Sequence, residues 1–329
     1  MSRWTRLACL VAGAGLAFAS VAGKAEEAEQ AGKARPRAGT VVDIKPNRIV
    51  LMDIAVAGQR LVTVGERGFA LLSDDGGKTW RAVGTPVTRT LTGVAFNGDQ
   101  LGVAVGHGGS VVRTEDGGAT WTEVVLDEAM GESLLGVTGL GDGKFAAYGA
   151  FGLYFDTLDG GKSWTRRRVI ADDIEAHISQ VVAATGTLWT VGEAGTLARS
   201  DDGGETWVAA PSPYAGSFFG ALVTRDGALL IFGMRSNVFR SADGGATWQK
   251  IELGTTASLN GGRVMSDGRI MLVGNAGLVA GSTDNGQTLK LQWSEAGKGF
   301  AAVAESPAGI VTAGEAGVGV FDPDSLVSK

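Results

Sequence analysis

The sequence is poor in the residues that most often build redox, metal and nucleophile sites. Its 329 residues include one cysteine, Cys9, and two histidines, His107 and His177. Cys9 lies in an apolar N-terminal run that we expect to be cleaved, which would leave the mature chain without a thiol nucleophile, zinc-thiolate site or iron-sulfur cluster. Two histidines are too few for a multi-histidine metal site. We therefore expect neither a metal nor a cofactor.

Proline and net positive charge are also scarce. The chain has 7 prolines against 53 glycines, and its formal net charge is -6. An acidic chain does not neutralise a phosphate backbone, so we expect no nucleic-acid partner. The many glycines, together with 44% hydrophobic residues, indicate a packed fold of short strands and tight turns.

The N-terminus has the pattern of a secretory signal. Arg3 and Arg6 precede an apolar run that ends in Ser20-Val21-Ala22. We predict a signal peptide over residues 1–22, a flexible linker over 23–39 and one folded domain over 40–329. We therefore expect export to the periplasm or, in a photosynthetic host, to a compartment like the thylakoid lumen. A retained membrane anchor is the alternative.

Internal repeats organise the rest of the chain. Five segments share the pattern S/T-x-D-G-G-x-T/S-W, and a sixth, beginning at Ser282, has Leu289 in place of tryptophan. The repeat spacing is 41 to 43 residues. We interpret these Asp boxes as structural turns, because the hydroxyl and the carboxylate can bond the hairpin backbone while paired glycines permit positive φ. The box residues are Asp75, Trp80, Asp116, Trp121, Asp159, Trp164, Asp202, Trp207, Asp243, Trp248 and Asp284. A calcium loop is the alternative, but the acidic spacing does not fit one.

A second marker sets the number of repeats. A G-x-x-G element follows an apolar strand about ten residues before each box, and it occurs without a box at Gly314/Gly317. In the fifth repeat the element is Gly233/Ser236. Seven units of four short strands predict an all-β, seven-bladed β-propeller of four-stranded blades. The seventh unit has room for only three strands, so we expect residues 40–44 to close the ring as the fourth strand of the last blade.

The boxes, the G-x-x-G element and the sevenfold count resemble the BNR/Asp-box propellers, most closely the photosystem II stability/assembly factor-like group. The resemblance covers about residues 40–325. It implies a non-catalytic scaffold that holds a membrane protein complex or its assembly intermediate. We expect an exported, monomeric binding protein of this kind, although the sequence does not indicate a photosynthetic host.

Asp boxes also occur in sialidases, so a glycan-binding or glycoside-hydrolysing propeller is the second hypothesis. The Arg-Ile-Pro signature of sialidases is missing, because Arg48-Ile49 is followed by Val50 and Arg269-Ile270 by Met271. Three tyrosines could supply a nucleophile, and Tyr148 and Tyr154 are predicted to be packed in strands. We therefore assign no catalytic residues. A purely structural module in an envelope assembly is the third possibility.

The G-x-x-G turns are our candidates for partner binding. If they join the second and third strands of each blade, they lie around the central channel, opposite the Asp boxes. A mixture of arginine, glutamate and aromatic side chains is typical of protein-binding surfaces. The candidate residues are Arg67, Arg235, Glu66, His107, Phe151, Glu193, Asn275 and Glu315. A solvated rim of unrelated polar turns is the alternative for each of them.

Overall fold

The computed structural model describes residues 39–169 and 176–321 of the chain. The predicted signal peptide (residues 1–22) and almost all of the predicted linker (residues 23–39) lie outside the described residues. Within the described ranges the regular elements are strands and three-residue 3-10 turns. None of the helices in those ranges has the length and hydropathy to cross a bilayer.

The strands form seven antiparallel sheets that follow one another along the chain. A short strand, β1 (Val41–Val42), comes first. The first four blades contain β2 (Leu51–Ala57), β3 (Arg60–Gly65), β4 (Phe69–Ser73), β5 (Arg81–Gly84), β6 (Leu91–Asn97), β7 (Leu101–Gly106), β8 (Ser110–Thr114), β9 (Thr122–Val124), β10 (Leu134–Gly141), β11 (Lys144–Gly149), β12 (Tyr154–Thr157), β13 (Thr165–Arg166), β14 (Ile178–Ala184), β15 (Thr187–Gly192), β16 (Leu197–Ser200) and β17 (Val208–Ala209).

The last three blades contain β18 (Phe218–Val223), β19 (Leu229–Gly233), β20 (Val238–Ser241), β21 (Gln249–Ile251), β22 (Leu259–Val264), β23 (Ile270–Gly274), β24 (Leu278–Ser282), β25 (Lys290–Trp293), β26 (Phe300–Ser306), β27 (Gly309–Gly314) and β28 (Gly317–Phe321). Each of the first six blades pairs its four consecutive strands in order, and the seventh has three strands within the described residues. The predicted seven-bladed β-propeller is confirmed.

Hydrophobic side chains hold neighbouring blades together. Successive side chains of a strand point to opposite faces, so each middle strand contributes to two interfaces. In β3, Leu61 packs towards blade seven and Val62 towards blade two, and both are buried. Seven such clusters each join two consecutive blades, including the last and the first. Packing therefore closes the ring.

The predicted mode of strand closure is wrong for the described residues. Val41 and Val42 pair with Val83 and Ala82 on the outer strand of blade one, where they form a fifth strand. The chain then turns, because the Ile44 N–H donates to the Val42 carbonyl. It then reaches blade seven, where Ile44 packs against the shared core cluster and the Val318 N–H donates to the Pro46 carbonyl at 3.4 Å. A turn and a proline cannot supply the continuous ladder of a fourth strand.

Candidate functional site

The Asp boxes form closed hydrogen-bond networks, as blade one shows. The Ser73 hydroxyl donates to Asp75 Oδ1 at 2.8 Å and accepts from the Gly77 N–H at 2.8 Å. Asp75 also accepts from the Thr79 N–H at 2.9 Å and from the Thr79 hydroxyl at 2.6 Å. Trp80 Nε1 donates to the Gly77 carbonyl at 2.9 Å. The hairpin therefore satisfies its own polar side chains.

The same hydroxyl-to-aspartate bonds recur in all six boxes, including the one without tryptophan. These hydrogen bonds favour the charged carboxylate. The hydrogen bond from Thr79 is the main cause that lowers the pKa of Asp75 to about 2, and Thr247 has the same effect on the pKa of Asp243. The box carboxylates thus accept hydrogen bonds within their own turns.

The G-x-x-G turns lie at the opposite end of each third strand from the boxes. In blade one the turn spans Glu66–Gly68, and β4 runs from it to Ser73 in the box. A Cβ on the first glycine, Gly65, would meet the Val50 carbonyl oxygen at 2.2 Å. The first glycine of every blade makes such a contact with a carbonyl oxygen, at 2.0–2.5 Å from an added Cβ. Close backbone packing therefore requires the first glycine.

In blades one to six the middle residue of the turn has a left-handed backbone conformation. Arg67, Phe151 and Arg235 have φ of 61°, 52° and 54°. Ala194 and Ala276 adopt the same conformation without a large side chain. The turn geometry therefore does not need arginine or phenylalanine, and a non-glycine residue with positive φ is strained by about 1–2 kcal/mol.

Seven of the eight candidate residues on these turns are exposed, and Glu66 is half-buried. All eight lie on the face opposite the boxes, as the strand order places the turns between second and third strands. Arg67 belongs to blade one and Arg235 to blade five, so the structure does not bring these two residues together on neighbouring turns.

Three side chains form a cluster where blades three and four meet. The rings of Phe151 and His177 pack edge to face, with centroids 5.1 Å apart. The Phe151 N–H donates to His177 Nδ1 at 3.2 Å, and Glu193 Oε2 lies 3.7 Å from the same nitrogen. His177 is not one of the eight candidate residues, but it links two of them, Phe151 and Glu193.

The other candidate residues make separate contacts. His107 Nδ1 lies 3.1 Å from the Ser133 hydroxyl of the next blade. Asn275 Oδ1 accepts from Asn260 Nδ2 at 2.8 Å. Glu66 Oε2 accepts from the Val50 N–H at 3.3 Å.

Glu315 lies over Gly299, where an added Cβ would meet its Oε1 at 2.9 Å.

The axial channel contains residues that the sequence did not single out. It has a volume of about 480 Å³ and is lined by residues from all seven inner strands. His107 is the predicted turn residue that reaches this lining. Each inner strand has an irregularity near its start, such as that between Leu51 and Asp53. This bulge turns polar side chains, Asp53 among them, towards the channel.

Asp53 connects the inner strands of blades one and two. Its Oδ2 accepts from the Val94 N–H at 2.9 Å, and its Oδ1 accepts from the Ile54 N–H at 2.8 Å. Burial raises the pKa of Asp53 to about 6, although these bonds and the charge of Arg263 act in the opposite direction. Asp53 is therefore the channel carboxyl that changes charge near neutral pH.

The tyrosines considered as nucleophiles are packed between blades. Tyr148 and Tyr154 are buried in β11 and β12. Burial raises the pKa of Tyr148 to about 12 and also raises that of Tyr154. Tyr214 packs against Phe218 and Phe239. The raised pKa values of Tyr148 and Tyr154 disfavour a phenolate nucleophile at either residue. The described residues contain no group of three or more side chains suited to holding a metal ion.

Comparisons with known proteins agree with the fold. Residues 31–152 match the family model for the photosynthesis system II assembly factor YCF48, which is a little over a third of the chain. No curated protein sequence matches. A structure of YCF48 bound to a D1 peptide has a TM-score of 0.67 and 21% identity, covering 85% of this chain and 99% of that one.

YCF48 from Cyanidioschyzon merolae has a TM-score of 0.68 and 17% identity, covering 87% of this chain and 99% of that chain. Virginiamycin B lyase from Staphylococcus aureus has a TM-score of 0.71 and 13% identity, covering 85% of this chain and 96% of that chain. At these identities structural likeness shows the fold alone. Together with the partial family match and the box repeats, it shows a seven-bladed propeller with Asp boxes that is similar to the photosystem II assembly factors.

Proposed function

We propose that this chain is a non-enzymatic, exported scaffold that binds a protein partner through its G-x-x-G face. The partner would be a membrane protein complex or an intermediate in its assembly. A propeller similar to this one, YCF48, has been solved with a D1 peptide bound, which supports peptide binding by a related fold. The general role is what we transfer, rather than the identity of the peptide.

The observation that carries this proposal is the strained turn residue. Arg67, Phe151 and Arg235 are exposed on one face in a conformation that alanine fills in other blades. Large, strained and exposed side chains are consistent with selection for contact with a partner. In the Asp boxes, by contrast, the serine or threonine and the aspartate are hydrogen-bonded within each hairpin.

Reversing the two turn charges tests the proposed face. Wild-type protein and the double variant Arg67→Glu/Arg235→Glu would be used to recover partners from membranes of the source organism. We expect the double variant to lose most of a specific partner that the wild type recovers. The matched control is Lys78→Glu/Lys162→Glu, which makes the same charge change at exposed positions in two box loops. Equal loss in both variants, or loss in neither, would contradict the proposed face.

The exported location is tested separately. We expect fractionation to place the C-terminally tagged protein outside the cytoplasm, and mass spectrometry to find a mature N-terminus after Ala22. A chain that retains residues 1–22 would support the anchor alternative instead. Sedimentation analysis is expected to give the mass of a monomer.

A further inference from the structure

Arg263 lies at the junction of two cavities in the propeller. It belongs to β22, the inner strand of blade six. Its side chain lines the axial channel and also a second cavity of about 370 Å³, which includes Val56, Gln59 and Glu305. On the inner strand of blade seven, the small side chains of Ala301 and Ala302 leave room beside Arg263. The guanidinium can therefore be approached from the channel.

No residue in the described part of the chain makes a hydrogen bond or an ion pair with the half-buried Arg263 side chain. The two acidic side chains that line these cavities already accept hydrogen bonds from other groups. Glu305 accepts from the N–H and hydroxyl of Ser266, at 2.7 and 2.6 Å. Asp53 accepts two backbone N–H groups. A guanidinium has five donors, and leaving them unbonded in a partly buried site is unfavourable.

The rest of the channel suits a ligand with an apolar body. Its volume of about 480 Å³ lies in the range of small-molecule sites. Met52, Leu135 and Phe219 line it with apolar surface, and Ser179 supplies a polar group. A bidentate carboxylate fits the donor geometry of arginine better than other common groups of that size.

We propose that the channel binds a carboxylate at Arg263, with the apolar part of the ligand against Met52, Leu135 and Phe219. Two sources supply a carboxylate of this kind, a small organic acid and the C-terminus of a peptide. This site goes beyond the proposed function, since it requires neither the turn residues nor a membrane partner.

Binding should strengthen on mild acidification. Asp53, Glu305, His107 and Tyr148 are the other titratable groups that line these cavities. Burial raises the pKa of Asp53 to about 6, so its negative charge is reduced below that pH. An aliphatic carboxylate remains mostly ionised at pH 5.5, where the electrostatic repulsion from Asp53 is weaker.

Saturation-transfer NMR with hexanoate and with the peptide acetyl-Ala-Ala-Ala-Leu tests the site at pH 7.5 and 5.5. Hexanamide and the C-terminally amidated peptide are the uncharged controls. We expect Arg263→Gln to weaken binding at least tenfold, which is about 1.4 kcal/mol. Arg199→Gln is the matched variant, because Arg199 lies on an outer part of blade four and pairs with Asp201. It should bind like the wild type.

Arg263-dependent binding of hexanoate supports a small acid as the ligand, and binding of the free-acid peptide alone supports a chain terminus. Absence of binding by both probes overturns the proposal, as does equal binding of the amides or a folded Arg263→Gln protein with unchanged affinity. If Arg263→Gln does not fold, Ser179→Trp is the second test, because its side chain fills the channel and should abolish binding. Retained binding in that variant would also overturn the proposal.

Discussion

The two ends of each third strand show opposite uses of polar side chains. At one end, the Asp box bonds serine or threonine, aspartate and backbone within a single hairpin. At the other end, the G-x-x-G turn needs its first glycine for packing, while its exposed residues contact a neighbouring blade or solvent. The most recognisable motif therefore stabilises its own hairpin, whereas the middle residue of the turn differs from blade to blade.

The largest loss of stability is expected on substitution of the first glycine of a G-x-x-G turn, where the backbone is closely packed. Gly274→Ala would place a Cβ 2.0 Å from the Ser258 carbonyl oxygen and 3.0 Å from the Leu259 Cα. Because backbone must move, we expect a loss of about 3 kcal/mol or more in the free energy of unfolding. Thermal unfolding followed by circular dichroism measures it. Gly319→Ala, where a Cβ meets only the Thr312 hydroxyl at 3.0 Å, is the control. Equal loss in both variants would contradict the packing argument.

Removing a box carboxylate should have the next largest effect. Asp116 accepts from the Thr114 and Thr120 hydroxyls and the Thr120 N–H. Asp116→Ala leaves these donors unpaired, so we expect the protein to lose about 2 kcal/mol of stability. Denaturant unfolding is the measurement, with the exposed Asp99→Ala as the control. A loss no greater than that of the control would mean that the box is not a structural element.

The contributions of the Asp-box carboxylates and of Asp53 to stability should change with pH in opposite directions. The box pKa values are lowered, so their stabilisation is present above about pH 4 and is lost as the pH falls towards 2. Asp53 in the channel has a raised pKa of about 6 against an ordinary 3.8. Its contribution is therefore complete below about pH 4 and is lost as the pH rises through 6.

Asp53→Asn isolates the channel part of this behaviour. Relative to wild type, we expect the variant to gain about 1 kcal/mol between pH 4.5 and 7.5, since the amide does not ionise and Asp53 is only half-buried. Denaturant midpoints at four pH values in that range give the difference, with Asp99→Asn as the control. A difference between variant and wild type that stays constant with pH would contradict the raised pKa.

The smallest effect tests whether the exposed turn residues reduce stability. Arg67→Gly relieves a left-handed arginine, and we expect a gain of about 0.5 kcal/mol in the free energy of unfolding. Arg199→Gly, in a strand, should lose stability instead. Thermal unfolding distinguishes the two signs. A destabilised Arg67→Gly variant would show that Arg67 is needed for the fold and would weaken its assignment to the partner face.

Much of the fold could be predicted because its signals are local. The serine or threonine, aspartate and glycines of a box determine one hairpin, and the contact between Gly65 and the Val50 carbonyl explains why G-x-x-G recurs. These offsets predicted the blade count and the face that carries Arg67 and Arg235. The channel residues were missed, because the bulge at Asp53 changes which side chains face inward without a clear mark in the sequence.

The sequence by itself determined seven repeated units, their turn chemistry and the positions that line one face, since each depends on residues within one blade. Tertiary structure alone decided where Val41 and Val42 pair, because that choice is between the outer strand of the first blade and that of the last, which lie far apart in the chain. It also decided that Asp53 of blade one and Arg263 of blade six face the same channel. Closing the ring brings such distant residues together, and no local pattern contains that information.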